Sequence, residues 1–315
     1  MSNNETFTIG SRKSQLALIQ TRQVQTALQL SYPDFEFPII SMTTIGDQIL
    51  NKPLFQIGEK SLFTKELEIA LQNKSVDLVV HSLKDLPTTL PDGMIIGAIM
   101  KRENPKDAVV IKQGLKFRLL DELPEGSIIG TSSVRRTAQL KKAFPNLVFQ
   151  DILDDPNGPY SALILAVAGL TRLDLNNRIS QILPPSIMHH AVGQGALAVE
   201  CRADDVQIIQ ILSVLEDKDT RLCCTAERSM LRALEGGCSV PIGVHTEFIE
   251  SHDCKRKLKL VGLIARLDGS EIIQAEVTKI VDEDGIDAAD ELGKEVASIL
   301  VEKGANDILE ELKKN

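Results

Sequence analysis

The sequence predicts an α/β protein of more than one domain, followed by a tail of a different, α+β kind. Three observations carry this. Strand-like runs alternate with helical periods from the N-terminus to about Met100, and a second alternating region spans about Asp107 to Ala191. The tail instead has two long β-prone runs, Leu258 to Ala265 and Glu271 to Ile280, around Leu267-Asp268-Gly269-Ser270, an antiparallel hairpin signal. With 315 residues the chain can build two or three domains with sizeable cores.

Composition narrows the function classes. Hydrophobic residues make up 43% and charged residues 25%, an ordinary globular balance. No apolar run reaches membrane-spanning length, and Met1 to Thr6 carries no signal-peptide pattern. The five cysteines are an odd number without metal-ligand spacing, so reduced thiols, a cytoplasmic location and no metal are expected. A net charge of −9 argues against nucleic-acid binding as the main activity. Any anion site must then be built locally from clustered Arg and Lys.

The first cluster is Thr6-Phe7-Thr8-Ile9-Gly10-Ser11-Arg12-Lys13-Ser14, where a short strand meets a helix. Leu16, Ala17, Ile19, Val24, Ala27 and Leu28 fall on one half of that helix, and Ser11 or Ser14 can cap it. Arg12 beside a helix start suits an anion, although on its own the cluster reads first as a solvated Arg with a normal cap. Next, a helix with Phe63, Leu67, Ala70 and Leu71 on one face leads into the apolar run Val76 to Val80. The polar loop after this strand, His81-Ser82-Leu83-Lys84-Asp85-Leu86-Pro87, lies where open α/β sheets bind ligands. Asp85 next to Lys84 could do acid–base work, or could be a surface ion pair worth about 0–1 kcal/mol. The second junction repeats the design. Ser127 to Gly130 reads as a strand, Thr131-Ser132-Ser133 supplies hydroxyls and a cap, and Arg135-Arg136 open a helix. Two cations in a first helical turn oppose the macrodipole by about 0.3–1 kcal/mol each unless an anion sits there.

Residues from about Ala196 to Ser213 read as a return to the first domain. A helical pattern from Thr225 to Leu234 then meets Glu235-Gly236-Gly237-Cys238-Ser239-Val240-Pro241, so Cys238 is expected on a tight, Gly-flanked loop. A thiol displayed this way can be a nucleophile or covalent anchor, although most free cysteines are small buried hydrophobes. After the hairpin, a helix from about Ile286 to Lys303 carries Ala289, Leu292, Val296, Ile299 and Leu300 on one face and ends at Gly304.

Taken together these runs resemble the hydroxymethylbilane synthase family, also called porphobilinogen deaminases. The resemblance rests on Ile9 to Ala17, Thr44-Ile45-Gly46-Asp47, Lys60 to Glu68, His81 to Pro87, Gly130 to Arg136, Leu165 to Leu170, Val192-Gly193-Gln194-Gly195-Ala196 and the Cys238 loop, in the family's order across nearly the whole chain. It implies two α/β domains, similar to those of periplasmic binding proteins, around a cleft, with a small C-terminal α+β domain. The expected division is 1–105 with 196–215, then 106–195, then 216–315. It also implies a transferase that deaminates porphobilinogen and adds four units to a dipyrromethane cofactor, releasing hydroxymethylbilane. Cys238 would hold that cofactor through a thioether. Asp85, assisted by Lys84, would be catalytic. Arg12, Ser82, Lys84, Thr131, Ser133, Arg135, Arg136 and Arg172 would bind the acetate and propionate groups, and Phe63, Lys60 and Gln194 would line the substrate pocket. The expected partner is porphobilinogen, with no nucleic acid, no membrane and a monomeric chain.

One departure matters. After Asp151-Ile152 the family continues with an Arg-Gly-Asn stretch and a Thr-Arg-Leu stretch, which supply two arginines and a helix. Here Leu153-Asp154-Asp155-Pro156-Asn157-Gly158-Pro159 leads straight to Tyr160 and a strand from Ala162 to Ala168. A parallel connection normally needs a dozen residues or more. The second domain is therefore expected to lose a helix, reorganise or be partly disordered, and the chain to load its cofactor poorly and be weakly active or inactive. A non-catalytic carboxylate- or pyrrole-binding protein on the same scaffold is the alternative reading.

Overall fold

A computed structural model of the chain describes residues 5–48, 63–152, 158–234, 240–249, 256–282 and 284–314. In chain order the elements are β1 (Ile9–Arg12), α1 (Gln15–Ser31), β2 (Ile39–Met42), α2 (Ile45–Gln48), α3 (Lys65–Gln72), β3 (Leu78–Ser82), β4 (Met94–Ile99), β5 (Asp107–Ile111), β6 (Ile128–Gly130), α4 (Val134–Ala143), β7 (Val148–Gln150), β8 (Ala162–Ala166), α5 (Val167–Arg172), β9 (Gln181–Ile182), β10 (Leu197–Arg202), α6 (Val206–Leu212), α7 (Lys218–Ala233), β11 (Ile242–Ile249), β12 (Lys257–Ala265), β13 (Ile272–Ile280), α8 (Ile286–Glu302) and α9 (Ala305–Lys314). Among the described residues no helix is long and apolar enough to cross a membrane. The chain divides into two units. Of the described residues, the first comprises 5–48, 63–103 and 195–221, and the second those in 104–194 and 222–314.

In the first unit the sheet order is β2-β1-β3-β10-β4. The strands β1, β2 and β3 run parallel, and β10 runs antiparallel to both neighbours. One face packs Val24 and Leu28 of α1 and Ile208, Ile211 and Leu212 of α6 against Ile9, Leu78, Val80 and Val199. The other packs Leu67, Ala70 and Leu71 of α3 against Val76, Val79 and Met94. Ser14 is the residue that caps α1, accepting from Ala17 N at 3.3 Å. The buried stripe of α1 is Gln20, Thr21, Val24 and Leu28, rotated from the purely apolar face the sequence suggests. Its two polar members face hydroxyl partners. Thr21 Oγ1 donates to Ser11 Oγ at 2.8 Å, and Gln20 reaches Ser82.

In the second unit the sheet β7-β6-β8-β5-β9 repeats this order. Again the first three strands are parallel and the fourth is antiparallel. In each sheet that fourth strand, β10 or β5, is the one entering from the other unit in sequence. One face holds Val109, Ile111, Ile129, Ala162 and Ile164 against Leu140 of α4. The other holds Ala108 and Val110 against Val167 and Leu170 of α5.

The strand connections show the departure noted above. In the first sheet, β2 and β3 flank β1 and their connection carries α3. In the second, β7 and β8 flank β6, and the connection is 151–161 with no helix among its described residues. Residues 153–157 of it lie outside the described residues. Buried Tyr160 covers this part of the sheet, its ring set against Gly130 beside Leu163 and Ile152, and its hydroxyl donates to Asp151 O at 3.0 Å. The strand ends at Ala166 and the chain turns directly into α5.

The expected third domain is a separate sheet within the second unit. It is the antiparallel meander β11-β12-β13, packed on α7, α8 and α9 through Leu258, Leu260, Ile264, Met230, Leu292, Val296 and Ile308. The hairpin turn forms as expected. Asp268 Oδ1 accepts from Ser270 N at 3.0 Å and from its hydroxyl at 2.7 Å, and Gly269 adopts φ +76°. Gly269 also sits under α4, where a Cβ would lie 2.6 Å from Ala138 O. Ala138 packs with Leu263 and Ala265, His190 bridges Val244, and Glu227 of α7 accepts from Gly193 N at 2.8 Å. These contacts join stretches 104–194 and 222–315 into one unit.

Candidate functional site

In the first unit the expected site residues lie at the carboxyl ends of parallel strands, where such sheets bind ligands. Arg12 ends β1, and its guanidinium lies over the Phe63 ring, 4.1 Å from the centroid. Such stacking holds a planar cation while leaving its edges for a carboxylate. The ring in turn lies over Gly46, where a Cβ would run into it, so the glycine of the Thr44 to Asp47 run makes room for the aromatic. Ser82 ends β3, and its hydroxyl is held by Gln20, whose Nε2 donates at 2.8 Å. The chain then makes a single tight turn, Leu83–Asp85. Leu83 and Leu86 are buried, which leaves Lys84 and Asp85 exposed at its apex. Leu83 N donates to Ala196 O at 3.0 Å, so β10 fixes the strand up to the residue before them.

In the second unit, Thr131 follows β6 and Ser133 caps α4, accepting from Arg136 N at 3.4 Å. Thr131 Oγ1 accepts from Ser133 N at 3.3 Å. Arg135 and Arg136 are buried, and the anion that two cations at a helix start call for is Asp107 of the chain itself. Arg135 Nη1 donates to Asp107 Oδ2 at 2.8 Å, and Arg136 Nη2 lies 2.8 Å from Oδ1. Arg135 Nη1 also donates to His189 O, and Arg136 Nη1 to Ile164 O. Gln194 is buried in the same network, its Nε2 donating to Asp107 Oδ1 at 3.0 Å and to Pro105 O at 2.6 Å. Burial alone would raise the Asp107 carboxyl, but the charges of Arg135 and Arg136 outweigh it and hold it well below the usual range. With one carboxylate neutralising one guanidinium, the group keeps one net positive charge. Arg172 closes α5, half-buried. Lys60 and Cys238 lie outside the described residues.

Sequence reasoning missed Gln20 and Asp107. Both carry a faint signal: Gln20 is a polar residue one turn before Val24 on the packed face of α1, and Asp107 is an acidic residue directly heading the apolar run Ala108 to Ile111.

The first unit thus presents cations and a hydroxyl at its strand ends, a donor set for carboxylates; in the second, Thr131 and Ser133 follow β6 while Arg135 and Arg136 are engaged by Asp107. Residues 7–210 match the family model "Porphobilinogen deaminase, dipyromethane cofactor binding domain", and residues 221–302 match "Porphobilinogen deaminase, C-terminal domain". The porphobilinogen deaminase of Nostoc sp. is 48% identical over 316 residues, covering 98% of this chain and 95% of that protein. That of Yarrowia lipolytica is 47% identical over 317 residues, covering 96% and 92%. That of Gloeobacter violaceus is 50% identical over 318 residues, covering 98% and 94%. The chain belongs to the porphobilinogen deaminase family. Its fold is more distantly similar to the periplasmic aliphatic sulphonate binding protein SsuA of Escherichia coli, at 11% identity and a TM-score of 0.34, over 74% of this chain and 71% of that one. A dipyrromethane offers several carboxylates and two pyrrole N–H groups. The cations Arg12 and Lys84, the Ser82 hydroxyl and the Asp85 carboxylate fit such a group.

Proposed function

We propose that this chain deaminates porphobilinogen and joins four units into hydroxymethylbilane, elongating a dipyrromethane held on Cys238. The observation that carries the reading is the apex Lys84-Asp85, exposed between two buried leucines on the sheet edge that also presents the Phe63-backed Arg12. When bound, the cofactor would supply the free pyrrole carbon at which the linear chain of substrate units starts. The remaining work falls to the chain. Arg12 and Lys84 bind acetate and propionate groups through charge-assisted hydrogen bonds, and Phe63 keeps the Arg12 guanidinium in plane for a bidentate grip. Ser82, oriented by Gln20, adds a hydroxyl donor. Asp85 accepts a pyrrole N–H, stabilises the cation left as ammonia departs, and takes and returns protons at its carboxylate.

Thr131, Ser133 and Arg172 serve further carboxylates, and the single net charge of the Arg135–Arg136–Asp107 group supports them. Lys60 and Gln194 complete the substrate pocket. Gln194 acts there through its hold on Asp107. The working state is a monomer in the cytoplasm. Lacking the two arginines of the Arg-Gly-Asn and Thr-Arg-Leu stretches, the chain loads its cofactor less well than it would with them.

The test is the mass of the purified chain and its turnover of porphobilinogen, beside Cys238→Ala. The expected result is a pyrrole-pair mass increment that Cys238→Ala abolishes, with ammonia released as porphobilinogen is consumed. Porphobilinogen binding without ammonia release, even after reconstitution with cofactor, would establish the non-catalytic alternative instead.

A further inference from the structure

The strand that delivers Asp85 ends against a buried group of ionisable side chains. Glu200 of β10 is fully buried, and its Oε2 lies 2.8 Å from Nε2 of the buried His81 on β3. The register pairs Val79 with Glu200 and His81 with Ala198, so His81 and Glu200 are diagonal neighbours on one face of the sheet. That face is covered by α3, whose Glu68 is 6% exposed.

The charges there do not balance if every carboxyl is ionised. From α3 and its N-cap, Glu66 and Thr64 face Glu68; from β3, His81; from β10, Glu200. Among the described residues His81 is the one cationic candidate facing Glu68. The cation of β10, Arg202, is turned to Leu71 O, Val76 O, Asp77 and Asp205. Glu66 Oε1 accepts from Ile45 N at 3.2 Å. Among the described residues three carboxylate oxygens are then buried without a hydrogen-bond partner: Glu68 Oε1, Glu200 Oε1 and Glu66 Oε2. A buried carboxylate with an unserved oxygen and a second carboxylate nearby takes up a proton rather than stay charged. Burial raises the Glu68 carboxyl above its ordinary range; the Thr64 hydroxyl opposes this, Glu200 adds to it, His81 opposes it, and Glu66 adds to it.

We propose that Glu68 is a neutral carboxylic acid at neutral pH, and that His81, Glu200 and Glu68 form a proton-holding positioning unit for the end of β3. The proton adds a hydrogen-bond donor among these buried carboxyl oxygens. With it, α3 packs on β3 and β10, and the His81–Glu200 pair holds β3 up to the turn displaying Lys84 and Asp85. Ionisation of Glu68 at alkaline pH sets two buried carboxylates against one imidazole and loosens that strand end. The link to turnover rests on the role proposed above for Asp85; the proton itself does not.

The cofactor-loaded chain and its Glu68→Gln variant would be compared by urea unfolding between pH 5 and 9.5. The native state holds a proton that the unfolded state releases above its ordinary value of 4.5, so wild-type stability falls as pH rises. Glu68→Gln removes that fall. The variant's midpoint minus that of the wild type should keep rising beyond pH 7. A difference already constant at pH 7 means an ionised Glu68 and overturns the proposal. So does the absence at pH 7 of an infrared carboxylic-acid carbonyl band that Glu68→Gln removes, a measurement made on the wild-type fold. In turnover, kcat should fall on the alkaline side with KM unchanged, and Glu68→Gln should move that limb upward at least tenfold in proton concentration. A limb that does not move overturns the positioning role. A chain that turns over no porphobilinogen refutes the function reading, and the unfolding and infrared results still decide the proton.

Discussion

Replacing Asp107 by Asn should be among the most damaging isosteric changes in the second unit. The side chain is fully buried and holds two guanidiniums at 2.8 Å, with Gln194 Nε2 at 3.0 Å. Asparagine keeps the volume, retains one acceptor, and turns an amide N–H₂ toward a cation. Each charge-assisted hydrogen bond contributes about 1.5–3 kcal/mol net. Because the bonds share one acceptor group they do not add, and the relevant figure is that for breaking a buried pair from one side, about 3–5 kcal/mol. Urea unfolding followed by circular dichroism would measure it, with hydrogen exchange of β5 and α4 locating it. The sign of the pH dependence is a second check. A carboxyl held below its ordinary value of 3.8 contributes stability above that value and loses it as pH falls through the depressed one. The deficit of Asp107→Asn should therefore be constant from pH 5.5 to 8 and shrink below about pH 4. A deficit under about 1 kcal/mol at pH 7 would show that the two arginines do not depend on Asp107.

Asp85→Asn should lower turnover by orders of magnitude while moving stability by less than about 1 kcal/mol, because the side chain is exposed between buried anchors; near-normal turnover of a loaded variant would refute its role. Burial first, then the charges of His245 and Arg135, push His189 down to about 4 from 6.5, so its contribution to stability is full above pH 6.5 and is lost as pH falls toward 4. That loss amounts to roughly 3 kcal/mol and should vanish from the acid unfolding profile of His189→Gln. Inserting the family's Arg-Gly-Asn to Thr-Arg-Leu segment between Ile152 and Leu153 should raise cofactor loading, read by intact mass. It should also lower hydrogen exchange around Val148 to Leu165. Equal loading of both forms would show that the lost arginines are dispensable.

The sequence by itself determined what depends on near neighbours along the chain. Asp268-Gly269 between two β-prone runs makes the hairpin because Gly accepts φ +76° and the Asp carboxylate reaches Ser270. The period of Ala289, Leu292, Val296 and Leu300 makes α8, which ends at Glu302 before Gly304 at φ +99°. The apolar run into Ser82 and the buried Leu83 and Leu86 place Lys84 and Asp85 at a strand end in the open. What only the tertiary structure decided depends on partners far apart in sequence. The cations of α4 suggested an external anion, but Asp107, 28 residues upstream of Arg135, supplies one internally. Gln20 looks like a break in the apolar face of α1 until Ser82, 62 residues on, is seen to require it. Glu200 meets His81 across 119 residues, because β10 returns from the second unit to lie antiparallel beside β3. A period or a turn signal is local physics and survives in one dimension. Neutralising a buried charge is a three-dimensional matter, settled by which strand the topology lays next to which.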